Sequence, residues 1–211
     1  MKLKISNIEP ERRDAIINAG LEEFAQNGYK NASTNVIAEK AGISKALLFH
    51  YVSSKSDLFL YLFNQCETVL QAEYYSLIDT AERDLLQRLR QAYLLKASVI
   101  RMHPWVFDFI QTALLTTEDS IRKLIKGRLK VLEAAGYETI FGNIDESLFR
   151  EELNVSRCRL LIYWAVTGFS QQTFENAVDE DFSALDFERI RLEFDGYLAE
   201  LRAAFYQESN L

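Results

Sequence analysis

Helix-breaking residues are nearly absent from this chain, and this constrains its fold more than any other feature of the sequence. Only two of the 211 residues are proline and only eight are glycine. The period-two alternation and hairpin dipeptides that mark paired strands are missing, and no internal repeat is visible. Apolar residues instead recur at helical spacing, so the sequence predicts an all-α protein.

The first helix is predicted to run from about residue 10 to 27. Pro10 suits a first helical turn because the backbone N–H that proline lacks has no helical partner there. At the other end, Asn27-Gly28 can adopt the left-handed conformation that stops a helix.

Two short capped helices are predicted next, on either side of a tight turn. Ser33 or Thr34 can cap the first of them, and Ser44 can cap the second, which is predicted over 45–51. Gly42 can take the positive φ of the turn. This pattern is typical of a helix-turn-helix motif. The same pairing occurs in helical proteins that do not bind DNA, so the turn alone leaves both interpretations open.

One face of the third helix is not needed for packing within the pair. It is predicted to carry Lys45, Ala46, Leu47, His50 and Tyr51. Leucine and aromatic side chains are costly on an exposed face unless a partner covers them, and the major groove of DNA accepts a helix of this kind. For Lys45 the alternative is a solvated surface lysine, and for His50 a metal ligand, although no second ligand lies at helical spacing.

Charge is distributed unevenly along the chain. The formal net charge is −7, but residues 1–60 carry +1 and the remainder carries −8. A nearly neutral N-terminal segment followed by an acidic remainder suits a protein that contacts DNA through one small surface.

The segment from about Arg12 to Leu62 resembles the DNA-binding domain of TetR-family regulators. The resemblance is carried by Ile16, Phe24, Asn27-Gly28-Tyr29, Ser33-Thr34, Ile37-Ala38, Ala41-Gly42-Ile43-Ser44, Leu48-Phe49-His50-Tyr51-Val52, Lys55 and Asp57-Leu58. It implies an α-helical homodimer whose third helices enter successive major grooves of a palindromic operator. It also implies a C-terminal domain that senses a small-molecule effector.

Carried over by position, the resemblance implies base contacts from Lys45, Ala46, Leu47 and His50, and phosphate contacts from Thr34, Ser44, Tyr51 and Lys55. Phe49 departs from the family, which often has tyrosine there, because phenylalanine has no hydroxyl for a phosphate. The predicted DNA-binding residues are Ser33, Thr34, Ser44, Lys45, Ala46, Leu47, Phe49, His50, Tyr51 and Lys55.

The predicted organisation is a helix-turn-helix domain over 1–55 and a helical ligand-binding and dimerisation domain over 56–211. A fourth helix over about 56–76 would connect them. Further helices are expected at about 82–101, 104–115, 118–135, 155–177 and 186–206, with breaks at Pro104 and Gly136.

Aromatic and polar residues of the second domain suggest a pocket for a small apolar or aromatic effector. The candidate ligand-binding residues are Tyr93, Trp105, Phe109, Gln111, Arg159 and Tyr163. Solid aromatic core is the alternative, and Arg159 could instead bind an acid or a neighbouring carboxylate.

The last two helices carry more apolar positions than an acidic domain easily buries alone. The candidate dimerisation residues are Leu161, Ala165, Gly168, Leu198, Leu201 and Phe205, and an intramolecular helix pair is the alternative. Effector entry is expected to repack helices near Pro104, change the separation of the reading helices and release DNA.

Other classes of protein receive little support from the sequence. Cys66 and Cys158 lack partners at metal-ligand spacing and are expected to be structural thiols, with no metal and no cofactor. A helical enzyme or small-molecule carrier is the alternative from another class, and an activator or architectural protein is the alternative within the same fold. No membrane-length apolar run or export signal is visible, so a cytoplasmic location is expected.

Overall fold

The computed structural model describes residues 4–175 and 186–207, which are almost entirely helical. Nine α-helices occur in these ranges: α1 Pro10–Asn31, α2 Thr34–Lys40, α3 Lys45–Tyr51, α4 Lys55–Glu73, α5 Leu85–Met102, α6 Val106–Leu115, α7 Asp119–Phe141, α8 Val155–Glu175 and α9 Phe187–Phe205. Short 3-10 turns lie at Lys4–Asn7, Tyr75–Leu77 and Glu146–Leu148. The part described contains no β-strand, and one isolated antiparallel bridge joins Phe149 to Tyr206. The predicted all-α class is confirmed.

The ends of α1 follow from local chemistry. Pro10 occupies the first turn, as predicted. Gly28 has a left-handed φ of 67° and interrupts the helix at the predicted stop. A further turn reaches Asn31 and is closed by the Ala32 N–H, which donates to the Gly28 carbonyl at 3.1 Å.

The predicted helix break at Gly136 is wrong, because α7 runs through this position to Phe141. Gly136 is buried, and a Cβ atom there would lie 2.8 Å from the Tyr75 hydroxyl oxygen. The absence of a side chain therefore lets a tyrosine approach the helix closely. The break at Pro104 is confirmed, since α5 ends at Met102 and α6 begins at Val106.

Contacts between residues divide the chain into two compact units. The first contains the described residues up to Glu73 together with Met102–Glu133, and the second contains Tyr74–Arg101 with the described residues from Ala134 onward. The functional boundary expected after residue 55 stays a prediction.

Aromatic side chains form the core of the first unit. The Phe24 ring of α1 meets the Phe59 ring of α4 edge-on at 5.1 Å, and Phe109 of α6 lies 4.8 Å from Phe59 between ring centroids. The Thr112 hydroxyl of α6 donates to the Ala25 carbonyl at 3.1 Å. Ring contacts of this kind stabilise the packing of α1, α4 and α6, and α2 in turn packs against α1.

A fully buried arginine organises part of the second unit. The Arg88 guanidinium of α5 donates to the carbonyls of Thr80 and Glu82 and to those of Ile140 and Gly142 at the end of α7. Carbonyls at a helix C-terminus have no partner within their own helix, so Arg88 satisfies groups that burial would otherwise leave unpaired. Burial in turn lowers the pKa of Arg88.

Candidate DNA-binding surface

The helix pair α2 and α3 has the predicted helix-turn-helix geometry. Gly42 has a φ of 66°, and the Ile43 N–H after it donates to the Ala38 carbonyl of α2 at 2.9 Å. Ile37 and Leu48 have no exposed surface, so the apolar sides of the two helices face the core. The opposite side of α3 is left to face solvent.

Serine hydroxyls fix the starts of both helices. Ser33 accepts from the Val36 N–H at 3.5 Å, and Ser44 accepts from the Leu47 N–H at 3.1 Å. The buried carboxylate of Glu23 accepts from the Ser33 N–H at 2.8 Å. Glu23 is a supporting residue that sequence reasoning missed, because only the fold brings this part of α1 against the start of α2.

Lys45, Ala46 and His50 are exposed on α3, and Leu47 is half-buried. The positions expected to meet bases thus face outward together. One expectation differs from the structure: Tyr51 is only 9% exposed. At about 100° per residue, Tyr51 follows Leu48 by one turn and falls on the inner side of α3.

The remaining predicted DNA-binding residues differ from these in exposure and in their contacts. Thr34 and Phe49 are half-buried, and Lys55 is also partly buried. The Lys55 ammonium donates to the Lys30 carbonyl at 3.1 Å and lies 5.0 Å from the centre of the Tyr29 ring. Desolvation lowers the pKa of Lys55, while Glu23 and Glu118 oppose that shift. Lys55 therefore caps the end of α1, and its contact with a phosphate stays a prediction.

The N-terminal 3-10 turn contributes a cation that sequence reasoning missed. Ile5 has no exposed surface, and Lys4 beside it places Nζ 3.5 Å from Nε2 of His50. The signal in the sequence was an apolar Ile5 among polar neighbours, which indicates a residue tied to the core. The turn brings a positive charge next to the exposed side of α3.

The predicted ligand-binding residues are divided between the two units. In the first unit, Phe109 has no exposed surface and belongs to the aromatic core, Trp105 is half-buried, and Gln111 is exposed. In the second unit, the Tyr93 ring stacks on Phe194 at 4.0 Å between ring centroids.

Arg159 and Tyr163 both contact Phe141 in the second unit. Arg159 donates to the Phe141 carbonyl at 2.5 Å, and the rings of Tyr163 and Phe141 meet edge-on at 5.7 Å. Phe109 packs among the aromatic rings of the first unit. A role in ligand binding stays a prediction for all six residues.

Helices α8 and α9 leave large apolar side chains exposed. These are Leu160, Leu161, Tyr163 and Trp164 of α8 and Leu192 and Tyr197 of α9. Ala165 and Gly168 are also exposed, whereas Leu201 and Phe205 are half-buried. Leu198 differs from expectation, because it is 7% exposed and packs inside the subunit, one helical turn from buried Phe194.

The cysteines are both free and buried. Burial raises the pKa of the Cys66 and Cys158 thiols, which keeps them protonated and poorly nucleophilic. Over residues 4–175 and 186–207, no three His, Cys, Asp or Glu side chains are grouped closely enough to hold a metal ion. Within the same ranges, no helix has the length and apolarity needed to cross a membrane.

Known proteins are similar to this chain over the helix-turn-helix segment and beyond it. A family model described as "Bacterial regulatory proteins, tetR family" matches residues 16–62. The HTH-type transcriptional repressor AcnR of Corynebacterium diphtheriae is 27% identical over 167 residues, which cover 78% of this chain and 83% of that protein. The HTH-type transcriptional activator FasR of Mycolicibacterium smegmatis is 33% identical over 101 residues, which cover 48% of this chain and 41% of that protein.

A solved structure shares the fold over nearly the whole chain. It is a TetR family transcriptional regulator from Chloroflexus aurantiacus J-10-FL, with a TM-score of 0.66, 20% identity and coverage of 97% of both chains. These relatives are transcriptional regulators rather than enzymes. The capped helix pair, the outward side of α3 and the match over residues 16–62 together identify this segment as a DNA-binding domain of the TetR type.

Proposed function

We propose that this regulator is a ligand-responsive repressor that binds a palindromic operator as a homodimer. The observation that carries the proposal is the outward side of α3, where Lys45, Ala46 and His50 are exposed immediately after the Ser44 cap. A helix that meets DNA by its N-terminal end brings its first residues to base edges in the major groove.

Charge at this surface supports the same orientation. Lys45 and Lys4 bring two ammonium groups to the exposed side of α3, and the free N–H groups at helix starts attract phosphates. The side chains of Leu47 and Phe49 are partly exposed, and a thymine methyl group can cover such apolar surface.

A homodimer is supported by the exposed apolar side chains of α8 and α9. Trp164 is 61% exposed, and Leu161 lies on the same side of α8, one helical turn earlier. Leu192 and Tyr197 of α9 are also exposed, at 58% and 52%. A two-fold contact between these helices would cover all four side chains and fix the separation of the two copies of α3.

Repression is favoured over activation by the coverage of the relatives. The repressor AcnR matches over 78% of this chain, whereas the activator FasR matches over 48%. Deleting the gene should raise transcription from the promoters that the protein occupies, measured with a reporter. A fall in transcription on deletion would establish the activator instead.

The binding proposal is tested by a gel shift with the DNA upstream of the gene. Replacing Lys45 by alanine should cost roughly 1 kcal/mol in each half-site, or about 30-fold in affinity for a dimer. The matched control is Lys123→Ala, which removes the same charge from an exposed position of α7. Equal affinity of the Lys45→Ala variant and the wild type would refute the assignment of α3 as the reading helix.

A further inference from the structure

The first half of α7 is strongly basic although the protein as a whole is acidic. Residues 120–132 contain five lysines or arginines and no acidic residue, in a chain with a net charge of −7. One of the five, Arg128, contacts Glu67 and Asn64 and lies 4.7 Å from the centre of the Phe63 ring. The other four are exposed at the surface.

Three of these exposed cations line one groove between α6 and α7. Arg122, Lys126 and Lys130 follow one another at intervals of four residues, so they share a face of α7 and span about 12 Å along it. Lys123 is equally exposed but is not part of the groove lining. The groove has a volume of about 470 Å³, which falls within the range of small-molecule sites.

The rest of the groove is mainly apolar. Its walls include Ala113, Leu114 and Leu115 from the end of α6 and Ile125 and Leu129 from α7. Leu115 is 73% exposed and Leu114 is 40% exposed, so two leucines stand open to solvent beside a row of cations. Gln111 and Glu133 complete the lining.

We propose that this groove binds an anionic amphiphile, with an acyl chain against the leucines and a negatively charged head against Arg122, Lys126 and Lys130. The chemistry of the two walls carries the assignment, because one favours burial of hydrocarbon and the other favours an anion. This deepens the proposed function by naming the class of effector and its site, and it rests on that function only for the effect on DNA binding.

Two other occupants fit the groove less well. A second copy of the chain in a two-fold contact would bring the same row of cations to both sides of the interface. DNA phosphates would satisfy the cations but would leave Leu114 and Leu115 exposed. An amphiphile satisfies both walls at once.

Binding is measured by calorimetry on the full chain with three probes that share a twelve-carbon chain: dodecanoate, dodecyl phosphate and dodecanol. The two anions are used below the concentrations at which they form micelles, and dodecanol is used below its solubility limit. Both anions should bind, and dodecanol should bind at least tenfold more weakly. Tighter binding of dodecyl phosphate than of dodecanoate would identify a phosphate head, and the reverse a carboxylate head. Equal affinity for dodecanol and dodecanoate, or no binding of any probe, would overturn the proposal.

Charge reversal tests the site, and the chain offers a matched control on the same helix. Lys126→Glu should weaken binding of dodecanoate at least tenfold, whereas Lys123→Glu should change it less than twofold. Because both positions are exposed, both variants should keep the helical content and melting temperature of the wild type. Equal losses in the two variants would show a non-specific charge effect and overturn the site.

Operator binding and sedimentation separate this proposal from the proposed function. Wild-type protein that binds its operator but no probe leaves the regulator intact and removes the groove as an effector site. Wild-type protein that binds dodecanoate but no operator would keep the groove as a ligand site and refute the proposed DNA-binding function. If Lys126→Glu weakens operator binding in the absence of any probe, or dissociates the dimer, the groove contacts DNA or the partner subunit and the proposal fails.

Discussion

The Ser44 hydroxyl accepts a hydrogen bond from the Leu47 N–H at the point where α3 begins. This one contact stabilises a helix of only seven residues and holds Lys45 at its exposed start. Since so short a helix has little stability of its own, the cap contributes substantially to positioning the exposed side of α3.

Replacing Ser44 by alanine should lower the free energy of unfolding by about 1 kcal/mol, because the Leu47 N–H loses its acceptor. The change is measured by urea denaturation at equilibrium. Operator affinity should fall as well, because α3 would fray at the end that we propose to contact DNA.

Ser53→Ala is the matched control, since Ser53 is exposed between α3 and α4. This variant should change the unfolding free energy by less than about 0.5 kcal/mol. A Ser44→Ala protein as stable as the Ser53→Ala protein would contradict the importance of the cap.

Single side chains also show where sequence reasoning reaches its limit. The caps at Ser33 and Ser44 could be predicted because each depends on residues within one turn of the helix. The contact between Lys4 and His50 joins residues 46 positions apart, so no local pattern reveals it. The burial of Tyr51 and Leu198 depends on which helices lie beside them, and periodicity gives only an approximate face.

At the scale of secondary structure, the turn between α2 and α3 depends on the conformation of Gly42. Gly127, inside α7, is a glycine with which it can be compared. Gly42 has a φ of 66° with no atom within 4 Å of a Cβ placed on it, so only the backbone conformation opposes a side chain. Gly127 also has free space around it but lies within α7, outside the left-handed region.

Gly42→Ala should therefore destabilise the protein by about 1–2 kcal/mol, the cost of a left-handed conformation for an L-residue. Gly127→Ala should stabilise it by roughly 0.5–1 kcal/mol, because alanine loses less entropy in a helix. Thermal denaturation followed by circular dichroism gives both values. Shifts of the same sign in the two variants would contradict this account.

Helix boundaries were predictable where the signal was local and not where it was tertiary. Pro10, Gly28 and Pro104 interrupt or begin helices as the sequence indicates. Gly136 is a glycine like Gly28, but it does not end a helix. Its missing side chain allows Tyr75 to pack closely against the surface of α7. A glycine in a helical pattern therefore needs its neighbours in space before its role is known.

For the whole molecule, the proposed homodimer gives the sharpest prediction. Trp164→Glu should place a charge in the centre of the interface and weaken dimerisation by at least about a hundredfold, since both copies carry the change. Sedimentation velocity at several concentrations measures the effect. Operator binding should weaken in parallel, because a monomer reads one half-site.

Leu77→Glu provides the comparison, since Leu77 is also an exposed apolar residue of the second unit but belongs to a 3-10 turn rather than to α8 or α9. This variant should remain dimeric. Dissociation of both variants alike, or of neither, would show that α8 does not form the interface.

Arg88 has a consequence for how the second unit can move. Its planar guanidinium joins the segment before α5 to the last carbonyls of α7, and leaving any of those groups unpaired in the interior is costly. These hydrogen bonds hold the start of α5 and the end of α7 together at this point. A displacement of the end of α7 would therefore move the start of α5 as well. We expect any conformational change within this unit to occur away from this contact.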